Sequence, residues 1–175
     1  VDVPSFITIQ SRSADNKIIR GGGSKFTAAL RGPSKTTVLC QDNNDGTYFV
    51  SYVCNVSGRY VLELRLGHQH INGSPFEVSV ASGEVEPRNC KVAGAGLSGA
   101  GAGNPASFTI TAYDRFHNQK AESRGALFSL VLSDCGEWPG AKTASTPPKM
   151  IEYEVHDHET GIYSVYFTTT VCGDY

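Results

Sequence analysis

The sequence predicts an all-β protein of two tandem β-sandwiches, and three observations support this fold class. Apolar and polar residues alternate in short runs, glycine and proline interrupt the chain roughly every ten residues, and the first half of the sequence recurs in the second half. No segment has the sustained apolar spacing of about 3.6 residues that an amphipathic helix requires. The length of 175 residues, with 39% hydrophobic and 18% charged residues, suffices for two small domains with apolar cores.

Two strands of the first half follow directly from alternation with a period of two. Tyr48, Val50 and Tyr52 occupy every second position of one run, and apolar residues recur at every second position from Tyr60 to Leu66. This pattern is typical of antiparallel strands with one buried face. Asn44-Asp45-Gly46 precedes the first run and predicts a tight hairpin turn, because these residue types tolerate a positive φ.

The two halves are copies of one template. The segment Ser5 to Ile9 (SFITI) recurs as Ser107 to Thr111 (SFTIT), an offset of 102 residues. Three residue pairs share this offset: Asn16 and Asn118, Phe26 and Phe128, and Leu30 and Leu132. Beyond them the offset becomes 115, because Gly46 to Val50 recurs as Gly161 to Val165. The second copy therefore carries 13 additional residues (115 minus 102), within Ser133 to Lys149.

Two long stretches resemble filamin-type immunoglobulin repeats. The segment from Asp42 to Val80 resembles the second half of such a repeat and reads DNNDGTYFVSYVCNVSGRYVLELRLGHQHINGSPFEVSV. The segment from Lys91 to Ile110 resembles the first half of the next repeat and reads KVAGAGLSGAGAGNPASFTI. The resemblance implies two immunoglobulin-like β-sandwiches, each complete repeat having seven strands, A to G, in roughly 100 residues.

The same resemblance implies the domain boundaries. The first repeat covers residues 1–82, from strand B to strand G, and its strand A is missing from the sequence. A linker covers residues 83–89. The second repeat covers residues 90–175, from strand A to the start of strand F, and the remainder of F and all of G are missing.

Composition and motifs argue against several classes of function. The formal net charge of −2 leaves no basic excess, so we expect no nucleic-acid partner. No apolar run approaches about 18 residues, so any membrane anchor of the parent protein is expected outside this sequence. The only methionine is Met150, so the same holds for a signal peptide. No nucleophile elbow or triad signature is present, so we expect neither an enzyme nor a small-molecule cofactor.

Two short motifs have a chemical interpretation beside a structural one. Gly94, Gly96 and Gly99 match the dinucleotide-binding pattern, but the flanking strand and helix are missing, which favours a corner between strands A and B. The segment His156 to Glu159 (HDHE) offers two imidazoles and two carboxylates to a divalent metal. It aligns with Gln41 to Asn44 in a hairpin turn, which favours a solvated turn.

Five cysteines leave at least one unpaired within this sequence. On the filamin-type template, the end of strand C lies near the corner between strands E and F, which predicts a disulfide between Cys135 and Cys172. Closing this 38-residue loop would stabilise the domain by about 4 kcal/mol. The template also brings Cys90 towards Cys54, and a bridge there would join the two repeats. Cys40 on strand D is expected to be buried. In the alternative, all five are reduced thiols, as in cytoplasmic filamins.

The additional cysteines favour an extracellular function. In combining divergent repeats with extra cysteines, the chain resembles gamete-expressed membrane proteins of plants and green algae, which attach sperm to egg. This resemblance implies an adhesion module on the extracellular face of the plasma membrane, with a cell-surface protein as partner. Asn55 of the sequon Asn55-Val56-Ser57 is the glycosylation candidate. The alternatives are a cytoplasmic, cytoskeleton-associated rod segment that cross-links actin or scaffolds partners, and a ubiquitin ligase or other protein carrying a filamin repeat.

The first candidate binding region is the edge formed by strand C. Filamin-type repeats let an extended peptide pair beside strand C, in the groove that strand D borders. In this sequence strand C corresponds to Lys25 to Leu30 or Ala126 to Leu132, and strand D to Thr36 to Cys40 or Met150 to Val155. The candidate contact residues are Thr27, Ala29, Ser129 and Val131.

The second candidate region is the insertion from Asp134 to Pro148. It is the largest departure from the repeat template, and a variable loop on a rigid sandwich is a common source of binding function. Its candidate contact residues are Glu137, Trp138 and Lys142, and Trp138 is the only tryptophan. In the alternative, Trp138 covers the open end of the sandwich and shields Cys135.

Overall fold

The computed structural model of this chain describes residues 1–122, 128–129 and 152–170. Among these residues the regular structure consists of eleven β-strands and two 3₁₀ helices of three residues each. The chain divides into two compact units, Val1–Gly83 and Glu84–Tyr175, which are called unit 1 and unit 2 below. The predicted all-β class and the tandem immunoglobulin-like repeats are confirmed.

Unit 1 is a sandwich of two antiparallel sheets. Its strands are β1 (Ser5–Gln10), β2 (Phe26–Arg31), β3 (Val38–Asp42), β4 (Thr47–Tyr52), β5 (Gly58–Leu66), β6 (Gln69–His70) and β7 (Phe76–Val80). One sheet has the order β1-β4-β3, and in the other β5 pairs with β2 on one side and with β6 and β7 on the other. These are the B-E-D and C-F-G sheets of an immunoglobulin sandwich.

The core of unit 1 lies between these sheets, at the alternating positions that the sequence predicts. Val50 and Leu62 are 0% exposed, and Tyr48, Tyr60 and Leu64 are exposed by at most 2%. The Tyr60 hydroxyl donates a hydrogen bond of 2.8 Å to the Val56 carbonyl, four residues upstream. This contact is the tyrosine corner of immunoglobulin sandwiches, and it fixes the turn into β5.

The described part of unit 2 contains one sheet of the sandwich. Its strands are β8 (Lys91–Ala93), β9 (Pro105–Thr111), β10 (Tyr153–Asp157) and β11 (Ile162–Thr168), in the order β10-β11-β9-β8. This is the D-E-B-A order, and the core side chains on it include Phe108, Ile110 and Val165. The Glu86 amide donates to the Tyr113 carbonyl at 2.8 Å, so part of the segment that the sequence assigns to the linker is bonded to unit 2.

The structure shows that the repeat offset assumed for strand B is wrong by one residue. Ile9 on β1 lies opposite Tyr48, and Ile110 on β9 lies opposite Tyr163. Tyr48 and Tyr163 are equivalent at offset 115, so Ile9 and Ile110 are equivalent at 101 (110 minus 9) rather than 102. The difference matters because a slip of one residue moves every apolar side chain of a strand to the opposite face.

The pair Asn16 and Asn118 is also wrong by one residue, because the Ser13 amide donates to the Lys17 carbonyl as the Asp114 amide donates to the Asn118 carbonyl. The offset of 102 is correct at the start of strand C. The rings of Phe26 and Tyr48 lie 4.4 Å apart between centroids, and those of Phe128 and Tyr163 lie 5.0 Å apart. Phe26 and Phe128 are therefore equivalent residues. Between strands B and C the second copy gains one residue, in addition to the 13 that the sequence predicts after strand C.

Candidate protein-binding site

Strand β2 has an open edge among the described residues. It pairs with β5, from Phe26 opposite Leu66 to Arg31 opposite Val61, and no other described strand pairs with it. An open edge exposes backbone N–H and C=O groups to which another strand can bind. The edge of β2 is therefore the candidate binding site of unit 1, one residue shifted from the predicted bounds of strand C.

The ladder between β2 and β5 determines which backbone groups face this edge. The Gly67 amide donates to the Lys25 carbonyl at 3.2 Å, so these two residues form a hydrogen-bonded pair. Hydrogen-bonded and non-bonded pairs alternate in an antiparallel ladder. The backbone of Thr27 is consequently bonded to β5, whereas the N–H and C=O of Ala28 point to the open edge.

The candidate contact residues of β2 therefore have a different role from the one predicted. Thr27 and Ala29 are exposed on the outer face of the sheet, where their side chains can flank a bound strand. The backbone groups available to that strand belong to Ala28 and Leu30, which the sequence analysis did not single out. The repeat pattern carried no signal for them, because side-chain alternation does not specify the phase of the hydrogen bonds.

Strand β3 borders the groove beside β2. Val38 and Cys40 on β3 and Phe26 and Ala28 on β2 are half-buried and pack against the core. β2 and β3 contact each other across the edge of the sandwich, and β3 pairs only with β4 among the described strands. The side chains that β2 and β3 bring together are thus small or apolar, and they lie between two strand edges that are open among the described residues.

The start of β2 is held in place by side chains from the opposite sheet. The Asp42 carboxylate accepts hydrogen bonds from the Gly23 amide at 2.7 Å and the Asn44 amide at 2.8 Å. The Tyr48 hydroxyl accepts a hydrogen bond of 2.8 Å from the Ser24 amide. These contacts pre-organise the edge, which reduces the entropy lost when a strand binds there.

Cys40 is a half-buried thiol in this groove. Burial raises its pKa above the ordinary value, and the nearby Asp42 carboxylate raises it further. A raised pKa keeps the thiol neutral at pH 7 and lowers its reactivity. Cys40 therefore contributes a small apolar surface to the groove, close to its predicted role as a buried residue.

Cys54 and Cys90, which the sequence predicts to be bridged, are both free thiols in this structure. Cys54 is 4% exposed in the core of unit 1, where its Sγ lies 3.9 Å from the Thr36 hydroxyl oxygen. The Cys90 thiol donates to the Glu86 carbonyl at 3.5 Å within unit 2. Each sulfur makes this contact within its own unit, and the bridge between the two repeats stays a prediction.

Most candidate residues of the second repeat lie outside the described residues. These are Val131, Cys135, Glu137, Trp138, Lys142 and Cys172. The disulfide between Cys135 and Cys172 and the binding role of the insertion therefore stay predictions. Ser129 is described and exposed, and Asn55 is exposed in the corner between β4 and β5.

The glycine-rich motif forms the connection between β8 and β9. A Cβ atom on Gly94 would lie 2.5 Å from the Phe108 Cα, and one on Gly96 would lie 2.7 Å from the Ser107 carbonyl oxygen. Glycine is required at both positions because the connection packs directly on β9. Close packing explains these glycines without a nucleotide, in line with the structural interpretation of the motif.

The outer face of sheet β1-β4-β3 is uncharged and partly aromatic. Phe6, 61% exposed, stacks on Phe49 with 5.3 Å between ring centroids, and Leu39 is 65% exposed. The outward positions of the three strands carry no ionisable residue: Phe6, Thr8, Gln10, Leu39, Gln41, Thr47, Phe49 and Ser51. Exposed aromatic residues and a depletion of charge are typical of protein interfaces.

The opposite outer face of unit 1 has a different character. The Glu63 carboxylate lies 3.5 Å from the Arg31 guanidinium and 3.1 Å from that of Arg65. Ion pairs at an exposed surface contribute little stability and keep a face solvated. The candidate surface for a protein partner is thus the β2 edge. No helix in the described part of the chain is long and apolar enough to cross a membrane.

Comparisons with known proteins agree with this architecture. A family model described as the Filamin/ABP280 repeat matches residues 1–77 and 84–175. Filamin-C of Rattus norvegicus is 29% identical over 163 residues, which cover 93% of this chain and 5% of that protein. Filamin-A of Drosophila melanogaster is 29% identical over 170 residues, which cover 95% of this chain and 6% of that protein. The chain thus spans only a small part of the length of these relatives.

A solved structure shows the same fold at low sequence identity. The adhesin FdeC of Escherichia coli superposes with a TM-score of 0.59 and 17% identity, covering 95% of this chain and 51% of that one. At this identity the similarity shows the β-sandwich fold alone and carries no information about a shared partner.

Proposed function

Because this chain belongs to the filamin repeat family, we propose that it is a non-enzymatic protein-binding segment whose unit 1 binds an extended peptide along β2. The observation that carries the proposal is the open edge of β2, where the backbone N–H and C=O of Ala28 and Leu30 point away from β5. A peptide strand that pairs there extends the sheet and gains main-chain hydrogen bonds. The apolar side chains that β2 and β3 bring together then select among peptides.

The groove indicates the chemistry of the peptide. Alternate side chains of an added strand face the groove, which is lined by Phe26, Ala28, Val38 and Cys40. A charged side chain buried against these residues would lose its hydration without gaining a partner. We therefore expect small or apolar residues at every second position of the peptide.

Two proline substitutions test this mode of binding. Ala28→Pro removes an N–H from the open edge and leaves the ladder with β5 intact, which edge strands tolerate. Thr27→Pro removes an N–H that bonds to β5, so it should destabilise unit 1. A peptide selected on this chain from a displayed library of alternating apolar sequences should lose at least tenfold in affinity with Ala28→Pro. Unchanged affinity in a folded Ala28→Pro variant would refute binding at this edge.

We further propose that the parent protein attaches cells on the extracellular face of the plasma membrane by binding a cell-surface protein, as the resemblance to gamete-expressed proteins implies. The exposure of Asn55 supports this proposal, because a glycan can be accommodated there. The alternative is a cytoplasmic rod segment linked to actin, for which free Cys40, Cys54 and Cys90 are the expected state.

Secretion of the chain from a eukaryotic host separates the two locations. A glycan on Asn55 and an oxidised pair of Cys135 and Cys172 would support the extracellular proposal. Five free thiols and no glycan would favour the cytoplasmic alternative. Peptide mapping without reduction measures both properties in one experiment.

A further inference from the structure

We propose that His156 and His158 of unit 2 together bind one divalent transition-metal ion. The two imidazole rings contact each other at the end of β10, with 4.9 Å between centroids and 75° between ring planes. A metal held about 2.0–2.1 Å from one nitrogen of each ring brings the two ring centroids to about 5 Å from each other. Both side chains are exposed, so an ion can reach them from solvent.

A second contact orients one of the two rings. Nε2 of His158 lies 2.8 Å from the hydroxyl oxygen of Ser164, which is 8% exposed and lies opposite His156 in the β10–β11 ladder. Metal-binding histidines commonly donate a hydrogen bond from the nitrogen that does not bind the metal. If Nε2–H of His158 donates to Ser164, Nδ1 is the nitrogen that binds the ion. Ser164 is then a positioning residue.

The turn itself does not require these histidines. In unit 2 the Asp157 carboxylate accepts a hydrogen bond of 2.8 Å from the Glu159 amide. In unit 1 the equivalent Asp42 makes the same contact with the Asn44 amide at 2.8 Å. The aspartate therefore shapes the turn in both copies, and at offset 115 unit 1 has Gln41 and Asn43 in place of the two histidines.

The ligand set indicates which ions bind. Among the described residues no group of three or more His, Cys, Asp or Glu can hold a metal, so water completes the coordination of an ion bound by this pair. Imidazole suits Cu²⁺, Ni²⁺ and Zn²⁺, and the affinity of such sites rises from Ni²⁺ to Cu²⁺. Ni²⁺ is the better probe here, because Cu²⁺ also oxidises thiols.

The test is calorimetric titration of the full chain with Ni²⁺. In the variants, each histidine is replaced by the residue that unit 1 has at the equivalent position. We expect one ion per chain, with affinity lowered at least tenfold by His156→Gln and by His158→Asn. Ser164→Ala should weaken binding less than either. The control is His70→Gln, since His70 contacts the Ser74 hydroxyl at 2.8 Å in another hairpin and should not affect the site.

Two results would overturn the proposal. One is Ni²⁺ binding that is unchanged in the double variant His156→Gln with His158→Asn. The other is an equal loss of binding in His70→Gln, which would show nonspecific binding by surface histidines. Shifts of the His156 and His158 ring protons on addition of Zn²⁺, in nuclear magnetic resonance spectra, would locate the ion at the two rings.

Discussion

Removal of the Tyr60 hydroxyl tests how unit 1 holds the corner between β4 and β5. Tyr60 is 1% exposed, and its hydroxyl contacts two groups, the Val56 carbonyl at 2.8 Å and the Ser34 hydroxyl at 2.9 Å. A tyrosine has a single hydroxyl proton, which is donated to Val56. The Ser34 hydroxyl must therefore donate to the Tyr60 oxygen. The two contacts have different roles, which two substitutions can separate.

The structure predicts unequal costs for these substitutions. Tyr60→Phe removes both contacts and leaves a partly buried carbonyl without its donor, a loss of about 1 to 2 kcal/mol. Ser34→Ala removes only the second contact and should cost about 0.5 to 1 kcal/mol. In the Tyr60→Phe background, Ser34→Ala should have almost no further effect, because its partner oxygen is already gone.

Native-state hydrogen exchange of the β5 amides is the appropriate assay, because it reports the opening of unit 1 separately from unit 2. Tyr60→Phe should raise the exchange rates of the slowest amides roughly 5- to 30-fold. The reasoning is refuted if Ser34→Ala accelerates exchange as much as Tyr60→Phe does. It is equally refuted if the effects of the two substitutions are additive.

Three further predictions concern register, reactivity and pH. Ile110→Ala should destabilise unit 2 by about 2 to 4 kcal/mol in urea unfolding, because an offset of 101 places Ile110 in the core. Thr109→Ala should cost less than about 1 kcal/mol, because this offset places Thr109 outside the core. A larger cost for Thr109→Ala than for Ile110→Ala would support an offset of 102. Cys40 should react with iodoacetamide more slowly than a free cysteine at neutral pH, and equal rates would contradict its raised pKa. Hydrogen bonds from Thr47 hold the pKa of Asp45 in the folded protein below its ordinary value of 3.8. The ionised Asp45 therefore stabilises the fold above pH 3.8, and this contribution is lost as the pH falls through the pKa of the folded state. Urea midpoints of Asp45→Asn should accordingly fall less on acidification than those of the unsubstituted chain, and parallel curves would count against this.

Apolar periodicity made the central strands of unit 1 predictable. It did not determine how strand B of one copy aligns with strand B of the other. Val50 and Leu62 stand in long alternating runs with one possible inward face, and both are fully buried. Strand B was aligned on a shared Ser-Phe pair, but Phe6 is exposed and Phe108 is 8% exposed in the core. Identical residues at non-equivalent positions produced the wrong offset there.

The candidate site shows a similar division. The repeat template placed the open edge on strand C, because the order of strands follows from the fold. The template could not show that the backbone groups of Ala28, rather than those of Thr27, point to the open edge. The phase of the β2–β5 ladder decides this, and the hydrogen bond from the Gly67 amide to the Lys25 carbonyl reveals that phase. The direction of the Cys54 side chain is a related case: proximity of two chain segments does not determine it, and Cys54 points into the core.

Two outward positions of the paired strands differ between the two copies, and packing explains this difference. At the corrected offsets, Phe6 and Phe49 of unit 1 correspond to Ser107 and Ser164 of unit 2. In unit 2 the connection between β8 and β9 packs on this face so closely that a Cβ on Gly96 would lie 2.7 Å from the Ser107 carbonyl oxygen. Aromatic rings in place of the two serines would displace that connection. The stacked aromatic pair of unit 1 is therefore incompatible with a connection packed on the sheet as closely as the one in unit 2.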